Sequence, residues 1–187
     1  MRLISGSAGG IQLEVPKSVT RPTQDRVRQA IFNMLGELID GARVLDLFAG
    51  SGALGLECLS RGAASALLVD QDRGAGEVMK KNIAKTRLEG ASIRQGEVFK
   101  TVAQLATAGT QFDLVFADPP YAHKPGEIDL SAKLAADETF HRLLPAGGSL
   151  ILESLATRNT ATFAHPWELI RQRDYGSTRI VWLRKLT

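Results

Sequence analysis

An alternation of short apolar runs with helix-like segments, beginning at residue 43, limits the fold more than any other feature. Apolar runs at 43–48, 66–70, 91–95, 112–117 and 149–153 are separated by glycine turns and helical patterns. Buried strands that alternate with helices are typical of a parallel sheet covered by helices. The pattern predicts an α/β fold with a Rossmann-like, mostly parallel sheet.

The C-terminal part of the chain changes to a different pattern. Residues 167–173 and 179–184 read as two strands around a turn at 174–178. Adjacent strands joined by so short a turn pair antiparallel. We therefore expect a seven-stranded sheet closed by a C-terminal antiparallel hairpin. A helix is also expected at 131–144, before Pro145.

The N-terminal part is expected to be a small appendage. Residues 2–15, with Gly9-Gly10 in the middle, predict a β-hairpin. A helix that begins at Thr23 carries apolar residues on one face, namely Val27, Ile31, Met34, Leu35 and Leu38. We expect a single domain over 1–187, with 1–40 as the hairpin and helix appendage and 41–187 as a Rossmann-like core.

Composition narrows the class of protein. The 187 residues include no apolar run near the roughly 20 residues that cross a bilayer, and the N-terminus lacks a secretory signal. A cytoplasmic protein without membrane or metal is expected. Residues 165–187 carry five Lys/Arg against two Asp/Glu, whereas 41–164 carry 13 against 14. Basic ends around a near-neutral middle suit a nucleic-acid partner, although an ordinary solvated surface gives the same pattern.

A glycine turn follows the first strand. Gly50, Gly52 and Gly55 fit the G-x-G-x-x-G spacing that binds a nucleotide, and Asp70 stands where a ribose-binding carboxylate is expected. The glycine spacing and Asp70 suit a nicotinamide dinucleotide and S-adenosylmethionine equally. Asp46 favours S-adenosylmethionine, because its carboxylate would attract an ammonium group and repel a pyrophosphate. Glu97, after the third strand, is placed to reach an adenine edge or to be a solvated carboxylate at a helix start.

The most specific motif is Asp118-Pro119-Pro120-Tyr121, at the end of the fourth strand. An exocyclic amine on a base is a poor nucleophile, because its lone pair is delocalised into the ring. The Asp118 carboxylate and the Pro119 carbonyl can accept its two N–H groups, and Tyr121 offers a face on which the base stacks. The motif predicts methyl transfer to a planar amino group, and leaves guanine, adenine N6 and protein glutamine open as acceptors.

Segments along nearly the full chain carry a resemblance to a known family. They read RPT, DRVR, FN, LDLFAGSGALG, DPPY and YG, at 21–23, 25–28, 32–33, 45–55, 118–121 and 175–176. Together they resemble the RsmD-type family, bacterial methyltransferases that modify guanine N2 in small-subunit (16S) ribosomal RNA. The combination is specific, whereas no single segment is.

The resemblance implies S-adenosylmethionine-dependent methylation of a guanine N2 in 16S ribosomal RNA. The substrate can be free RNA or an assembled small-subunit particle, and a monomer is the default expectation. The implied cofactor-binding residues are Asp46, Phe48, Gly50, Ser51, Gly52, Asp70, Gln71, Glu97 and Val98. The implied catalytic residues are Asp118, Pro119, Pro120 and Tyr121. Arg21, Thr23 and Arg26 are expected to hold RNA or to close the site.

Two alternatives belong to other classes. A nicotinamide-dependent Rossmann oxidoreductase would use the glycine turn, but it leaves Asp46 and the 118–121 motif without a role. An RNA-binding protein without catalysis is the second, and it does not explain why the motif is intact. A DNA adenine methyltransferase would need a target-recognition segment, for which the chain has no room.

Overall fold

The computed structural model describes residues 1–16, 25–121, 127–156 and 162–187. The chain divides into two compact units, Met1–Val98 and Phe99–Thr187. A single domain, with an N-terminal appendage that ends at residue 40, stays a prediction. Within the described ranges, no helix combines the length and the apolar character needed to cross a membrane.

The first unit is built around a parallel sheet. In chain order its elements are α1 (Asp25–Leu35), a 3-10 turn (Gly36–Ile39), β1 (Arg43–Leu47), α2 (Ala53–Ser60), β2 (Ser65–Asp70), α3 (Arg73–Thr86) and β3 (Ala91–Gln95). β2 lies between β1 and β3 and pairs parallel with both. The apolar residues of β1 and, apart from the half-buried Leu67, those of β2 are buried, as expected for parallel strands covered on both faces.

The second unit contains the remaining elements. They are α4 (Val98–Thr107), β4 (Leu114–Ala117), α5 (Leu130–Ala136), α6 (Glu138–His141), β5 (Ser149–Leu155), β6 (Trp167–Tyr175) and β7 (Thr178–Lys185). The first residue of α4, Val98, is the last residue of the first unit. β4 pairs parallel with β5, and β7 pairs antiparallel with both β5 and β6. The C-terminal antiparallel hairpin is thus confirmed.

The seven strands belong to one sheet in the order β3-β2-β1-β4-β5-β7-β6. The sheet is mostly parallel, and its antiparallel pairs all involve β7. Helices follow β1, β2 and β3 along the chain. The predicted α/β fold class with a seven-stranded sheet is therefore confirmed.

The N-terminal segment differs from the predicted hairpin. A single antiparallel bridge joins Arg2 and Gln12, and turns occupy the residues between them. Backbone bonds also join Leu3 to Ile11 and Gly10, and Leu13 to Met1. In addition, the Ile4 and Ser5 amides donate to the buried carboxylate of Glu57. These contacts hold residues 1–16 within the first unit.

Helix details also differ from expectation. The chain tightens into the 3-10 turn after α1, which leaves Leu38 53% exposed, whereas Arg28 takes a fully buried position on α1. The helix expected over 131–144 divides into α5 and α6. Asp137 causes the break: its backbone is extended, and its carboxylate accepts the Thr139 and Phe140 amides as an N-cap.

Candidate active site

The carboxyl ends of β1, β2 and β3 meet at one edge of the first unit's parallel sheet. Eight of the nine predicted cofactor-binding residues end or follow these strands, namely Phe48, Gly50, Ser51, Gly52, Asp70, Gln71, Glu97 and Val98. In open α/β sheets, ligands bind outside the carboxyl ends of the strands. The position agrees with a nucleotide-binding role, while the individual contacts remain predictions.

The glycine turn after β1 has an unusual backbone. Gly50 and Gly52 have φ values of 55° and 76°, and Phe48 has a φ of 62°. A bulky residue rarely adopts a left-handed φ, and such residues concentrate at functional sites. Asp70 supports the turn, because its Oδ2 accepts the Gly50 amide at 2.8 Å and its Oδ1 accepts the Asp72 amide at 2.9 Å. The predicted ribose-binding carboxylate therefore lies directly against the turn.

Two glycines of the turn allow α2 to approach β2 closely. A Cβ on Gly52 would lie 2.8 Å from the Cδ1 of Leu68, and a Cβ on Gly55 would lie 2.3 Å from its Cδ2. Leu68 is fully buried and has little room to move. The two methyl groups of one leucine thus fill the spaces that the absent side chains leave, which is the packing role of the last glycine in this motif.

Asp46 lies inside β1, behind the turn. It is the register partner of Leu68, and its Oδ2 accepts the Gly55 amide at 2.9 Å. This bond satisfies an amide in the first turn of α2, whose N-cap, Gly52, has no side chain to do so. Burial raises the pKa of Asp46 to about 7; the Gly55 amide opposes this rise and the charge of Asp70 adds to it.

The raised pKa of Asp46 predicts a pH-dependent stability. In the folded chain the carboxyl group binds a proton up to about pH 7, whereas the unfolded chain releases it near its ordinary value of 3.8. Stability relative to the variant Asp46→Asn should therefore fall as pH rises from about 4 to 7. We expect the difference in unfolding free energy to change by about 2–3 kcal/mol between pH 5 and pH 8.

Chemical denaturation of both proteins without added ligand measures this difference. Asparagine keeps an oxygen that can accept the Gly55 amide, so the comparison isolates the charge. An exposed control, Asp40→Asn, should show no such change. A constant difference between Asp46→Asn and the unaltered protein at both pH values would contradict the burial of an ionisable Asp46.

Asn82 connects the glycine turn to the N-terminal segment, and no sequence pattern predicted this contact. The side chain is fully buried on α3. Its Nδ2 donates to the carbonyls of Ser51 and Glu14, and its Oδ1 accepts the Glu14 amide. The hydroxyl of Ser51 donates to the sulfur of Met1 at 3.6 Å. The turn is thus held from behind by residues far away in sequence.

The second unit carries the 118–121 motif at the end of β4. Ala117, the last residue of β4, pairs with Leu152 of β5, so the next residues, Asp118 and Glu153, lie at the same edge of the sheet. Pro119 is buried and Pro120 is exposed. Two successive prolines restrict the backbone of this turn and remove two N–H donors from it. The motif therefore presents a carboxylate and carbonyl oxygens at the carboxyl end of a strand.

Tyr121 is anchored at its hydroxyl. The O–H donates to Oε1 of Glu153 at 2.7 Å, and the Thr178 hydroxyl lies 3.2 Å away. Burial raises the pKa of Tyr121; the Thr178 contact opposes this rise, and the Glu153 and Asp118 carboxylates add to it. The phenol is consequently neutral at physiological pH. Sequence patterns missed Glu153 and Thr178, because they belong to strands far from the motif in sequence.

The predicted RNA contacts are only partly described. Arg26 is exposed on α1, as an RNA contact would require. Arg21 and Thr23 lie outside the described residues. Among the residues that the structure describes, no group of three or more His, Cys, Asp or Glu side chains is arranged to hold a metal ion.

Comparisons with known proteins agree on one family. The model of the family described as "Conserved hypothetical protein 95" matches residues 1–184. The Ribosomal RNA small subunit methyltransferase D of Escherichia coli K12 is 37% identical over 177 residues, which cover 94% of this chain and 85% of that protein. The protein of the same name from Haemophilus influenzae is 38% identical over 136 residues, covering 70% and 69%.

A solved structure extends the similarity to the complete fold. A hypothetical protein from Thermus thermophilus is 33% identical and superposes with a TM-score of 0.81. The match covers 100% of this chain and 99% of that one. The similarity therefore includes both units and the order in which they follow each other along the chain.

Proposed function

The chain belongs to the conserved hypothetical protein 95 family, and we propose that it is an S-adenosylmethionine-dependent methyltransferase acting on the N2 amine of a guanine in small-subunit ribosomal RNA. The observation that carries the proposal is the Asp118–Tyr121 motif at the carboxyl end of β4 in a chain that also has the nucleotide-type glycine turn. Relatives named as small-subunit ribosomal RNA methyltransferases support the acceptor.

The first unit has groups suited to S-adenosylmethionine. Gly52 and Gly55 let α2 pack closely on Leu68, and this packing sets the position of the glycine turn at the proposed cofactor site. Asp70 retains lone pairs to accept ribose hydroxyls, because each of its oxygens accepts only one of the two amides described above. Glu97 is proposed to reach the adenine edge. When bound, the cofactor supplies a methyl group on a positively charged sulfur.

The protein residues of the second unit prepare the acceptor. The Asp118 carboxylate accepts an N–H of the guanine amine and stabilises the positive charge that develops on nitrogen as the new bond forms. The Pro119 carbonyl accepts the other N–H. Tyr121 supports the base by stacking, which is typically worth about 1–3 kcal/mol. The surplus proton then passes to Asp118 or to water.

The substrate is proposed to be an assembled small-subunit particle. A net charge of +3 on 187 residues is a weak electrostatic attraction for naked RNA. A particle surface can supply additional contacts and hold the target base in an open, single-stranded position, which spares the cost of flipping it out. We also propose that the protein acts as a monomer in the cytoplasm.

Transfer of a labelled methyl group tests this proposal. The purified protein, with labelled S-adenosylmethionine, is offered small-subunit particles that lack the modification, naked 16S ribosomal RNA, duplex DNA and a glutamine-containing peptide. We expect label in the small-subunit RNA as N2-methylguanosine, with faster transfer to particles than to naked RNA. Label in adenine, in DNA or in the peptide would contradict the proposed acceptor.

A further inference from the structure

The Tyr121 hydroxyl makes two contacts that the proposed chemistry does not use. The hydroxyl donates a hydrogen bond to Oε1 of Glu153 at 2.7 Å, and Oγ1 of Thr178 lies 3.2 Å from the hydroxyl oxygen. Glu153 is the fifth residue of β5, and Thr178 is the first residue of β7. Both partners are therefore on strands of the second unit's sheet, whereas Tyr121 itself lies in a loop that follows β4.

Glu153 is itself held rigidly. Only 8% of the residue is exposed, and its backbone carbonyl accepts the Ser131 hydroxyl at 3.0 Å. Its β5 neighbours on both sides pair in register with β7, with Leu152 opposite Val181 and Ser154 opposite Arg179. A carboxylate placed on a central strand and supported on both sides keeps its position far better than one on a loop.

A stacking residue must be held in one orientation to help the chemistry. A tyrosine in a loop can rotate about two side-chain torsions, and each rotation would carry a stacked base away from the attacking geometry. Misplacement of a reacting group by about 1 Å can cost about 100-fold in rate. A hydrogen bond at the far end of the ring removes this freedom, because it fixes the ring at the point most distant from the backbone.

We propose that Glu153 and Thr178 are positioning residues, which lock the ring of Tyr121 in the orientation that stacks the target base beside Asp118. The inference rests on the proposed function, because it assumes that a planar base is the acceptor. Glu153 acts through Tyr121 and does not touch the base. The neutral phenol keeps its proton for the bond to Glu153 across the physiological pH range.

Three variants test the role of the hydrogen bond. Tyr121→Phe removes the hydroxyl and keeps the ring, Glu153→Leu removes the acceptor, and Glu153→Gln keeps an acceptor oxygen without the charge. We expect kcat for methyl transfer to fall about 10-fold in the first two, the effect of losing one hydrogen bond to a charged group. KM for small-subunit particles and Kd for S-adenosylmethionine should change less than about 2-fold, because the ring and the cofactor site remain. Glu153→Gln should recover most of kcat.

The double variant Tyr121→Phe/Glu153→Leu separates positioning from simple stability. If Glu153 acts through Tyr121, the double variant should be about as slow as either single variant. Thr178→Val should give a smaller fall in kcat, and the exposed Thr107→Val serves as its matched control. Thermal unfolding of every variant identifies any variant that folds poorly. If the Glu153 variants do, the kcat of Tyr121→Phe decides whether the hydrogen bond positions the ring, because Glu153 is intact in that variant.

Two results would overturn the inference. One is a wild-type kcat in Glu153→Leu and Tyr121→Phe. The other is a double variant whose loss equals the product of the single losses, since Glu153 would then act independently of Tyr121. Failure of the proposed function is a different result: the unaltered protein itself would not form N2-methylguanosine in small-subunit RNA.

Discussion

Replacing Asp118 with alanine is expected to reduce methyl transfer at least about 100-fold while leaving the binding of S-adenosylmethionine unchanged. In the proposed mechanism the carboxylate faces an amine that becomes positively charged in the transition state, and removing one such electrostatic partner costs about 100-fold to 1,000-fold in rate. The residues proposed to bind the cofactor belong to the first unit, whereas Asp118 belongs to the second. The substitution should therefore separate catalysis from cofactor binding.

Two further variants make this result interpretable. Asp118→Asn keeps an oxygen that accepts an N–H but lacks the charge, so its rate should lie between those of alanine and the unaltered protein. The exposed Glu89→Ala removes a carboxylate elsewhere and should leave the rate unchanged. Single-turnover rates with small-subunit particles and calorimetric affinities for the cofactor measure both effects. Wild-type turnover by Asp118→Ala would rule out the assigned role.

Gly52→Ala is expected to weaken the binding of S-adenosylmethionine by about 10-fold or more. An L-residue at the φ of 76° costs about 1–2 kcal/mol. The new Cβ would also lie 2.8 Å from Leu68 and 3.4 Å from Met79, both fully buried. The distance to Leu68 is too short for a real contact, so Leu68 or the turn must shift, and we expect part of the shift to fall on the turn. Each 1.4 kcal/mol lost from binding lowers affinity tenfold.

Gly109→Ala is the matched control for this substitution. Gly109 has a similar φ of 68°, but a Cβ there would meet no atom within 4 Å. Both variants should lose stability through backbone strain, whereas only Gly52→Ala should also lose cofactor affinity. Isothermal titration and thermal unfolding distinguish the two effects. Equal cofactor affinities for the two variants would mean that the close packing of Gly52 on Leu68 does not shape the cofactor site.

The strand pattern was predictable because it depends on local sequence. Buried parallel strands read as apolar runs wherever they occur, so all five of the expected parallel-type runs and both hairpin strands are present in the fold. The hairpin expected at residues 2–15 is present as one antiparallel bridge with a few backbone bonds, and not as two regular strands. Its Ile4, Ser5 and Ala8 amides bond to Glu57 and Ser60 on α2, and no pattern within the segment indicates those contacts.

In the candidate site, too, features set by local sequence were predictable and contacts between distant residues were not. The glycine turn and the 118–121 motif are contiguous in sequence, so their chemistry could be predicted directly. The residues that support them are not contiguous: Asn82 reaches Ser51 from α3, and Glu153 reaches Tyr121 from β5. Only the register of strands and the packing of helices bring such pairs together. The sequence therefore predicted the candidate reacting groups, and the structure added the residues that contact and support them.

Mass spectrometry of 16S ribosomal RNA tests the central claim most directly. RNA is prepared from cells of the source organism that lack this gene, and from the same cells carrying either the unaltered gene or the Asp118→Ala variant. The account predicts one N2-methylguanosine fewer in the deletion strain, restored by the unaltered gene and not by the variant. An unchanged content of N2-methylguanosine in 16S ribosomal RNA after deletion would contradict it.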